Sequence, residues 1–232
     1  MAVLFDGELD VHYGFISCVP SIRARAESSG VMVKRTGANG LCGAAEPGVL
    51  SLTTGLHTGS VPIVVEALDA EPEVGSDWEE VVEVSFTTER TDLVLAAFED
   101  SEPVTLPAPG TYRVRFSASG MDEAHQTDVR MPEEPEIDRY LLQLWPAPAR
   151  PDEIVLETSS SAAYWHGVAR QASRPRGADA RANAPPGELV KGARRRSAPP
   201  AAPAPPARCS GRRPRRSAAR ACGEPRPRRR SE

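Results

Sequence analysis

The feature that most constrains the fold is a repeated alternation of apolar and polar residues, clearest at 111–118. Every second residue there, from Tyr112 to Ala118, is apolar, and a turn rich in proline and glycine precedes the run. A period of two is typical of a β-strand with one face towards an apolar core. Comparable strand signals lie at 9–16, 49–54, 61–68, 78–86, 92–98, 103–106, 140–145 and 154–156.

About eight or nine short strands with turns between them, and almost no helical periodicity, predict an all-β fold. We interpret residues 5–168 as a single antiparallel β-sandwich, in which apolar strand faces form the layer between two sheets and charged faces point outward. A short helix is expected at 159–168, capped by one of the serines 159–161. Residues 120–138 are polar and rich in Pro and Glu, and are expected to form a long loop.

Charge is distributed very unevenly along the 232 residues. Residues 1–166 carry 28 of the 32 acidic side chains and only 10 of the 28 Lys and Arg, a net charge of −18. The remaining residues, 167–232, carry a net charge of +14, 11 prolines and none of the aromatic residues. A segment this poor in apolar side chains cannot bury enough surface to offset the entropy of ordering. Residues 169–232 are therefore expected to be a disordered Arg/Pro/Ala-rich tail.

Two interpretations of this tail stay open. Its arginine runs, such as 194–196 and 228–230, suit nucleic-acid phosphates, because arginine neutralises phosphate without needing a fold. The tail is otherwise mostly Ala, Pro and Gly, with Lys191 as its only lysine. An out-of-frame reading of GC-rich DNA would give the same composition. Sequencing the gene together with its transcript separates the two interpretations.

The cysteines, the N-terminal residues and the apolar runs indicate in which compartment the protein is expected. The four cysteines show no C-x-x-C spacing and two of them lie in the tail, which argues against a zinc site or a disulfide framework. The first residues lack the basic region of a signal peptide. No apolar run approaches the roughly 18 to 20 residues of a transmembrane helix. We expect a cytoplasmic protein that uses no cofactor and does not bind a membrane.

The acidic body suggests a function in binding. A protein that competes with nucleic acid for a basic groove must present dense carboxylates, and an acidic surface steers basic partners towards it. We predict a non-enzymatic binding protein whose partner is a basic protein, such as a nuclease. Arg113 and Arg115 either clamp a carboxylate or phosphate together or balance acidic neighbours. The candidate partner-binding residues are Glu79, Glu80, Glu83, Asp122, Glu123, Asp128, Arg113 and Arg115.

Two alternatives remain beside this hypothesis. The first is a small metal-dependent hydrolase, because the segment 120–128 contains three carboxylates and His125, which are ligand types suited to a divalent metal. The site would use this segment together with His57 or His166, and His57 is the candidate general base. The spacing matches no recognised metal motif, and a solvated acidic loop explains the same residues. The second alternative is an acidic protein of no assignable function.

The middle of the chain resembles a known family. From Ile63 to Phe116 an apolar strand and an acidic loop lead to Asp-Trp-Glu-Glu-Val-Val-Glu-Val-Ser-Phe, and a hydrophobic pair leads to Leu-Pro-Ala-Pro-Gly-Thr-Tyr-Arg-Val-Arg-Phe. This order resembles the ComJ-like family of competence proteins, and 138–145 is similar to its closing strand. The founding example inhibits the DNA-entry nuclease, so the resemblance implies a β-rich inhibitor of a nuclease. The loop 120–137 and the continuation beyond Trp145 depart from the family pattern.

Three short segments resemble a second group of proteins. They are Asp-Trp-Glu-Glu at 77–80, Gly-Met-Asp-Glu at 120–123 and Ala-Ala-Tyr-Trp-His at 162–166. Each looks like a segment of uncharacterised actinobacterial proteins. This second resemblance implies no activity.

Overall fold

The computed structural model describes residues 1–22, 39–98 and 100–173. The predicted tail from residue 174 onward lies outside the described residues, so its disorder and its nucleic-acid binding stay predictions. The strands are β1 (Ala2–His12), β2 (Phe15–Pro20), β3 (Cys42–Gly43), β4 (Leu50–Thr53), β5 (Thr58–Ala67), β6 (Glu80–Thr88), β7 (Asp92–Ala96), β8 (Ser101–Thr105), β9 (Gly110–Ser119), β10 (Arg139–Pro146) and β11 (Glu153–Leu156). The helices are α1 (Met121–Thr127) and α2 (Ser160–Ala172).

All of these strands belong to one curled, mixed sheet that forms a half-barrel. Its order is β11-β6-β9-β10-β5-β1-β2-β4-β3, and β7 joins through β2 and carries β8 on its other edge. The expectation of a mostly β protein is confirmed. The expectation of a purely antiparallel sandwich is wrong, because periodicity shows which side chains share a face and not which strands become neighbours.

The parallel element of the sheet is the pair formed by β5 and β10. Their register runs from Tyr140 beside Ile63 to Leu144 beside Ala67. Parallel neighbours need a long crossover connection. The chain supplies one, because it leaves β5, forms β6 to β9 and α1, and only then returns as β10. This long-range pairing has no local signal in the sequence.

One face of the sheet, which we call the inner face, packs into the main core. Val114 and Phe116 of β9 are fully buried there, as the alternation at 111–118 predicts. The ring of Phe116 stacks on Tyr140 of β10 with ring centroids 5.5 Å apart. Ile63 of β5 and Leu142 of β10 belong to the same cluster. The long apolar run at 61–65 is covered on its inner side only, since Pro62 and Val64 are half-buried on the opposite face.

Helix α1 lies within the segment that we expected to be a loop. It buries Met121 and Ala124, which lie three residues apart and therefore on one side of the helix. Gly120 precedes it with a φ of 81°, and a Cβ at that position would lie 2.1 Å from the carbonyl oxygen of Ile137. Seven residues are too few to give a helical period. The prediction of a loop over 120–138 is therefore wrong for its first third.

Helix α2 confirms the predicted C-terminal helix. Ser159 is its N-cap, and the Ser159 hydroxyl accepts a hydrogen bond from the N–H of Ala162 at 3.1 Å. Ala162, His166 and Ala169 are buried at helical spacing. The helix continues to Ala172, four residues beyond the predicted end of the domain. None of the helices in the described part of the chain is long and apolar enough to span a membrane.

Candidate binding surface

A buried ion cluster occupies the middle of the face opposite the inner one, which we call the outer face. Glu83 of β6 lies beside Arg115 of β9 in the strand register. The Glu83 carboxylate accepts hydrogen bonds from Arg113 Nε at 2.9 Å and from Arg115 Nε and Nη2 at 2.9 and 2.7 Å. All three side chains are at most 4 % exposed. The expectation that this charged strand face points into solvent is therefore wrong.

Neighbouring segments cover this cluster and complete its hydrogen bonds. Arg115 donates to the carbonyl oxygen of Pro72 at 2.8 Å, and Arg113 donates to that of Pro151 at 2.9 Å. The Arg115 guanidinium also lies 5.3 Å from the centre of the Trp145 ring. Burial opposes ionisation of Glu83, but the arginine hydrogen bonds and charges outweigh it and lower its pKa. The two arginines thus balance an acidic neighbour and are not displayed to a partner.

Two more of the predicted binding residues stabilise the start of helix α2. The Glu80 carboxylate accepts hydrogen bonds from the backbone N–H groups of residues 158 and 159 at 3.0 and 2.6 Å. The Asp122 carboxylate accepts from those of residues 160 and 161 at 3.0 and 2.8 Å. Negative charge is favourable at a helix N-terminus, where N–H groups have no partner within the helix. Burial opposes ionisation of Asp122, but these hydrogen bonds lower its pKa to about 2.

The remaining three predicted residues, Glu79, Glu123 and Asp128, are exposed. Glu79 lies just before β6, and its carboxylate accepts a hydrogen bond from the N–H of Gly120 at 2.8 Å. Glu123 lies on the first turn of α1, and Asp128 follows the end of that helix. Of the eight predicted side chains, three are therefore exposed, Asp122 is half-buried and the other four are buried.

The residues of the hydrolase alternative lie on different elements. His57 Nδ1 is 2.9 Å from the hydroxyl of Thr58. His166 is fully buried, its Nδ1 accepts a hydrogen bond from the N–H of Gly40 at 2.9 Å, and burial lowers its pKa. Among the described residues no group of three His, Cys, Asp or Glu is placed to hold a metal ion. The structure does bring His57 beside the segment 120–128, since the N–H of His57 donates a hydrogen bond to the carbonyl oxygen of Asp128 at 3.1 Å.

The outer face of β1 carries a row of carboxylates that the sequence interpretation missed. Asp6, Glu8 and Asp10, which we call the acidic row, are exposed, and they lie beside Val64, Pro62 and Ser60 of β5. Glu8 accepts hydrogen bonds from the Ser60 hydroxyl at 2.5 Å and from Arg130 Nη2 at 3.1 Å. The signal was present, because acidic residues alternate with apolar ones in 6–11. The predicted strand at 9–16 begins at Leu9, inside the observed β1 (Ala2–His12).

A second feature of the outer face is a groove of about 350 Å³, which we call the Trp78 groove. Half-buried apolar side chains of β5 and β10 form its floor, among them Val64 and Leu141, which are neighbours in the parallel register. The Arg139 guanidinium lies over the Trp78 ring, 4.8 Å from its centre. Glu66 and Glu136 also line the groove. An apolar floor with a charged rim is the usual anatomy of a protein interface.

Exposed charge on the described residues is strongly one-sided. Seventeen Asp and Glu side chains are exposed. Only four of the seven described arginines are exposed, because the other three are buried. The exposed arginines are Arg90, Arg139, Arg150 and Arg170. Arg90 is paired with Asp92, Arg139 with Asp77 and Arg150 with Glu71. This imbalance favours a negative potential around the described residues.

No protein-family model matches the sequence, and no curated protein matches it. Solved structures similar to the chain include that of ComJ from Bacillus subtilis, inhibitor of the DNA-degrading activity of NucA. It is 14 % identical, the match covers 63 % of this chain and 98 % of ComJ, and the TM-score is 0.40. The product of crocagin biosynthetic gene J is 15 % identical, with coverage of 64 % and 100 % and a TM-score of 0.39. The resemblance to the ComJ-like family thus corresponds to a weak structural similarity.

Proposed function

We propose that this protein is a non-enzymatic binding protein that presents its acidic surface to a basic protein partner, with a nuclease as the partner class. The observation that carries the proposal is the excess of exposed carboxylates among the described residues, seventeen against four exposed arginines. Such an excess attracts cationic proteins, raises their association rate and opposes binding of acidic ones. A nuclease fits this chemistry because its substrate groove must be basic to hold phosphates.

The outer face offers the best-formed docking surface on the described residues. The acidic row supplies charge on a rigid strand, and the adjacent Trp78 groove supplies apolar area and an aromatic side chain. Glu8 is held ionised, because hydrogen bonds from Ser60 and Arg130 outweigh its burial and lower its pKa. Carboxylates on a rigid strand orient a basic partner, and burial of the adjacent apolar floor contributes binding energy.

The test begins with co-purification from the native host and identification of a basic protein in the bound fraction. The affinity of that purified protein is then measured for the wild type and for a double charge reversal of the acidic row, Asp6→Lys with Asp10→Lys. We expect the reversal to weaken binding at least about 10-fold, since each exposed rim charge acts mainly through long-range attraction and the association rate.

The control is a reversal of equal charge elsewhere, Glu89→Lys with Glu133→Lys, in which both residues are exposed. Its effect on affinity should be several-fold smaller than that of the row variant. Equal losses in the two double variants would place the contact away from the acidic row. Failure of any basic protein to bind the native chain would remove the proposed function.

A further inference from the structure

A depression lies at the end of the outer face, where the acidic row meets the turn between β1 and β2. Its volume is about 510 Å³. Asp10 and His12 of β1, Thr58 of β5, and Phe98 and Asp100 of the turn between β7 and β8 contribute to its wall. It is separate from the Trp78 groove, with which it shares no lining residue.

The rings of His12 and Phe98 line this depression, and the rings of Tyr13 and His57 pack against them. His12 stacks on Phe98 with ring centroids 5.1 Å apart, and Tyr13 packs edge-on against His57 at 5.4 Å and against Phe98 at 6.1 Å. Tyr13 and Phe98 are 58 % and 50 % exposed, although large aromatic side chains are normally buried. Tyr13 also has a φ of 62°, a conformation that favours glycine and that bulky residues rarely adopt. Gly14 has a φ of 68°, so the two residues form the tight turn between β1 and β2, in which both central residues adopt positive φ. The exposure of the Tyr13 and Phe98 rings is therefore the observation that points to a binding site.

Two carboxylates, those of Asp10 and Asp100, share the depression with His12. One oxygen of Asp100 accepts a hydrogen bond from the N–H of Asp10 at 3.1 Å, which fixes the Asp100 side chain against β1. The lining residues include no lysine or arginine. The described residues also form no group of three ligands for a metal ion. Aromatic walls with a pair of carboxylates instead match an organic cation, which is attracted by ring faces as well as by charge.

We propose that this depression, an aromatic cage lined by Asp10, His12, Phe98 and Asp100, binds the guanidinium group of an arginine side chain on the partner. Tyr13 and His57 support the cage by packing against its two rings. A guanidinium is planar, so one of its faces stacks on an aromatic ring. Its N–H groups point outward in the plane of the guanidinium and donate hydrogen bonds to carboxylates at its edge. A lysine ammonium has neither the flat face nor the fork of donors. This inference rests on the proposed function and specifies which chemical group of the basic partner enters this site.

The experiment titrates the full chain with Nα-acetyl-arginine amide and follows binding by calorimetry and by NMR shifts of the Tyr13 and Phe98 rings. Nα-acetyl-citrulline amide, which has the same shape without the charge, is the ligand control, and Nα-acetyl-lysine amide tests the preference for a planar cation. We expect the arginine compound to bind at least about 10-fold more tightly than the citrulline compound and more tightly than the lysine compound.

Three variants test the assignment of residues. Asp10→Asn and Asp100→Asn remove charge and keep side-chain oxygens, so the hydrogen bond to the Asp10 N–H is retained, and Phe98→Ala removes an exposed ring. Each should reduce the affinity for the arginine compound several-fold, and the two Asn changes together at least about 10-fold. Glu89→Gln, an exposed carboxylate in another turn, should leave it unchanged. Equal binding of citrulline, or wild-type affinity in the double variant, would overturn the proposal.

The same variants separate this inference from the proposed function. Arginine-amide binding that depends on Asp10 and Asp100 supports the cage even when no basic protein binds the chain, in which case only the proposed function fails. A basic protein that binds the Asp10→Asn, Asp100→Asn variant as tightly as the wild type supports the proposed function and overturns the cage as its arginine site.

Discussion

Glu83 is the residue on which the largest number of buried charges depends. Its carboxylate accepts hydrogen bonds from the guanidinium groups of both Arg113 and Arg115. The other hydrogen bonds of these groups go to backbone carbonyls and a serine hydroxyl, and the nearest other carboxylates are 3.8 and 3.9 Å away. Removing one member of a buried ion cluster leaves an uncompensated charge in a low-dielectric site. The stability of the sheet at β6 and β9 is therefore more sensitive to Glu83 than to any exposed carboxylate.

We predict that Glu83→Gln lowers the free energy of unfolding by about 3–5 kcal/mol, as measured by urea denaturation at pH 7. Glu89→Gln, in the turn after β6, should change it by less than about 0.5 kcal/mol. A triple variant with Glu83→Leu, Arg113→Met and Arg115→Leu should be more stable than Glu83→Gln, because apolar residues of similar volume replace the whole cluster. A small effect of Glu83→Gln would show that water reaches the two arginines.

Gly120 gives a second prediction for a single residue. Its φ of 81° and the 2.1 Å approach to the Ile137 carbonyl oxygen leave no room for a side chain. Gly120→Ala should lower the free energy of unfolding by more than about 1 kcal/mol. Gly167→Ala is the matched control: this position lies inside α2 and has no heavy atom within 4 Å of an added Cβ, so the change should stabilise by about 0.5–1 kcal/mol. Loss of stability in both variants would contradict the structural explanation.

At the scale of elements, helix α2 is attached to the sheet by charge as well as by packing. Glu80 from β6 and Asp122 from α1 bind the N–H groups before and inside its first turn, so three elements meet at its N-terminus. The ordinary pKa of an Asp side chain is 3.8, and that of Asp122 is lowered to about 2. A lowered pKa in the folded state means that the ionised carboxylate stabilises the fold above the unfolded-state value, and that this stabilisation is lost as the pH falls towards 2.

We predict that Asp122→Ala lowers the free energy of unfolding by about 1 kcal/mol at pH 7, the usual size of a helix cap. The difference between the variant and the wild type should shrink as the pH falls from 5 to 2, because the wild-type carboxylate becomes protonated. Thermal unfolding followed by circular dichroism at each pH measures this difference. Glu123→Ala, the exposed neighbour on the same helix, should change the free energy of unfolding at pH 7 by less than about 0.5 kcal/mol. A deficit for Asp122→Ala that stays constant with pH would contradict the capping role.

The elements also show what the sequence can predict and why the rest escapes it. The alternation at 111–118 predicted both the strand and its buried apolar side, because a period of two depends only on local geometry. The serines before α2 predicted its cap for the same reason. The burial of Glu83, the parallel pairing of β10 and the meeting of His12 with Phe98 depend on segments distant in sequence. An acidic residue on a polar strand face gives the same alternation in the sequence whether water or another segment covers that face.

At the scale of the whole molecule, the excess of exposed carboxylates is a cost to stability as well as an attraction for partners. Like charges on a compact surface repel one another, and salt screens that repulsion with a Debye length of about 10 Å at 0.1 M. A chain ending at Ser173 keeps all of the described residues and omits the basic segment 174–232. Such a chain should unfold cooperatively, because all strands of the sheet and both helices lie within it.

We predict that the Tm of this shortened chain rises by several degrees when NaCl is increased from 10 to 500 mM, since screening weakens the repulsion among its carboxylates. The double reversal Asp6→Lys with Asp10→Lys should raise the Tm at low salt and reduce the salt-dependent increase, because it lowers the net negative charge by four. Differential scanning calorimetry measures both effects. A Tm that falls with added NaCl would show that ion pairs such as those of Arg90 and Arg150 outweigh the repulsion, and the acidic surface would then be balanced locally rather than free to attract a partner.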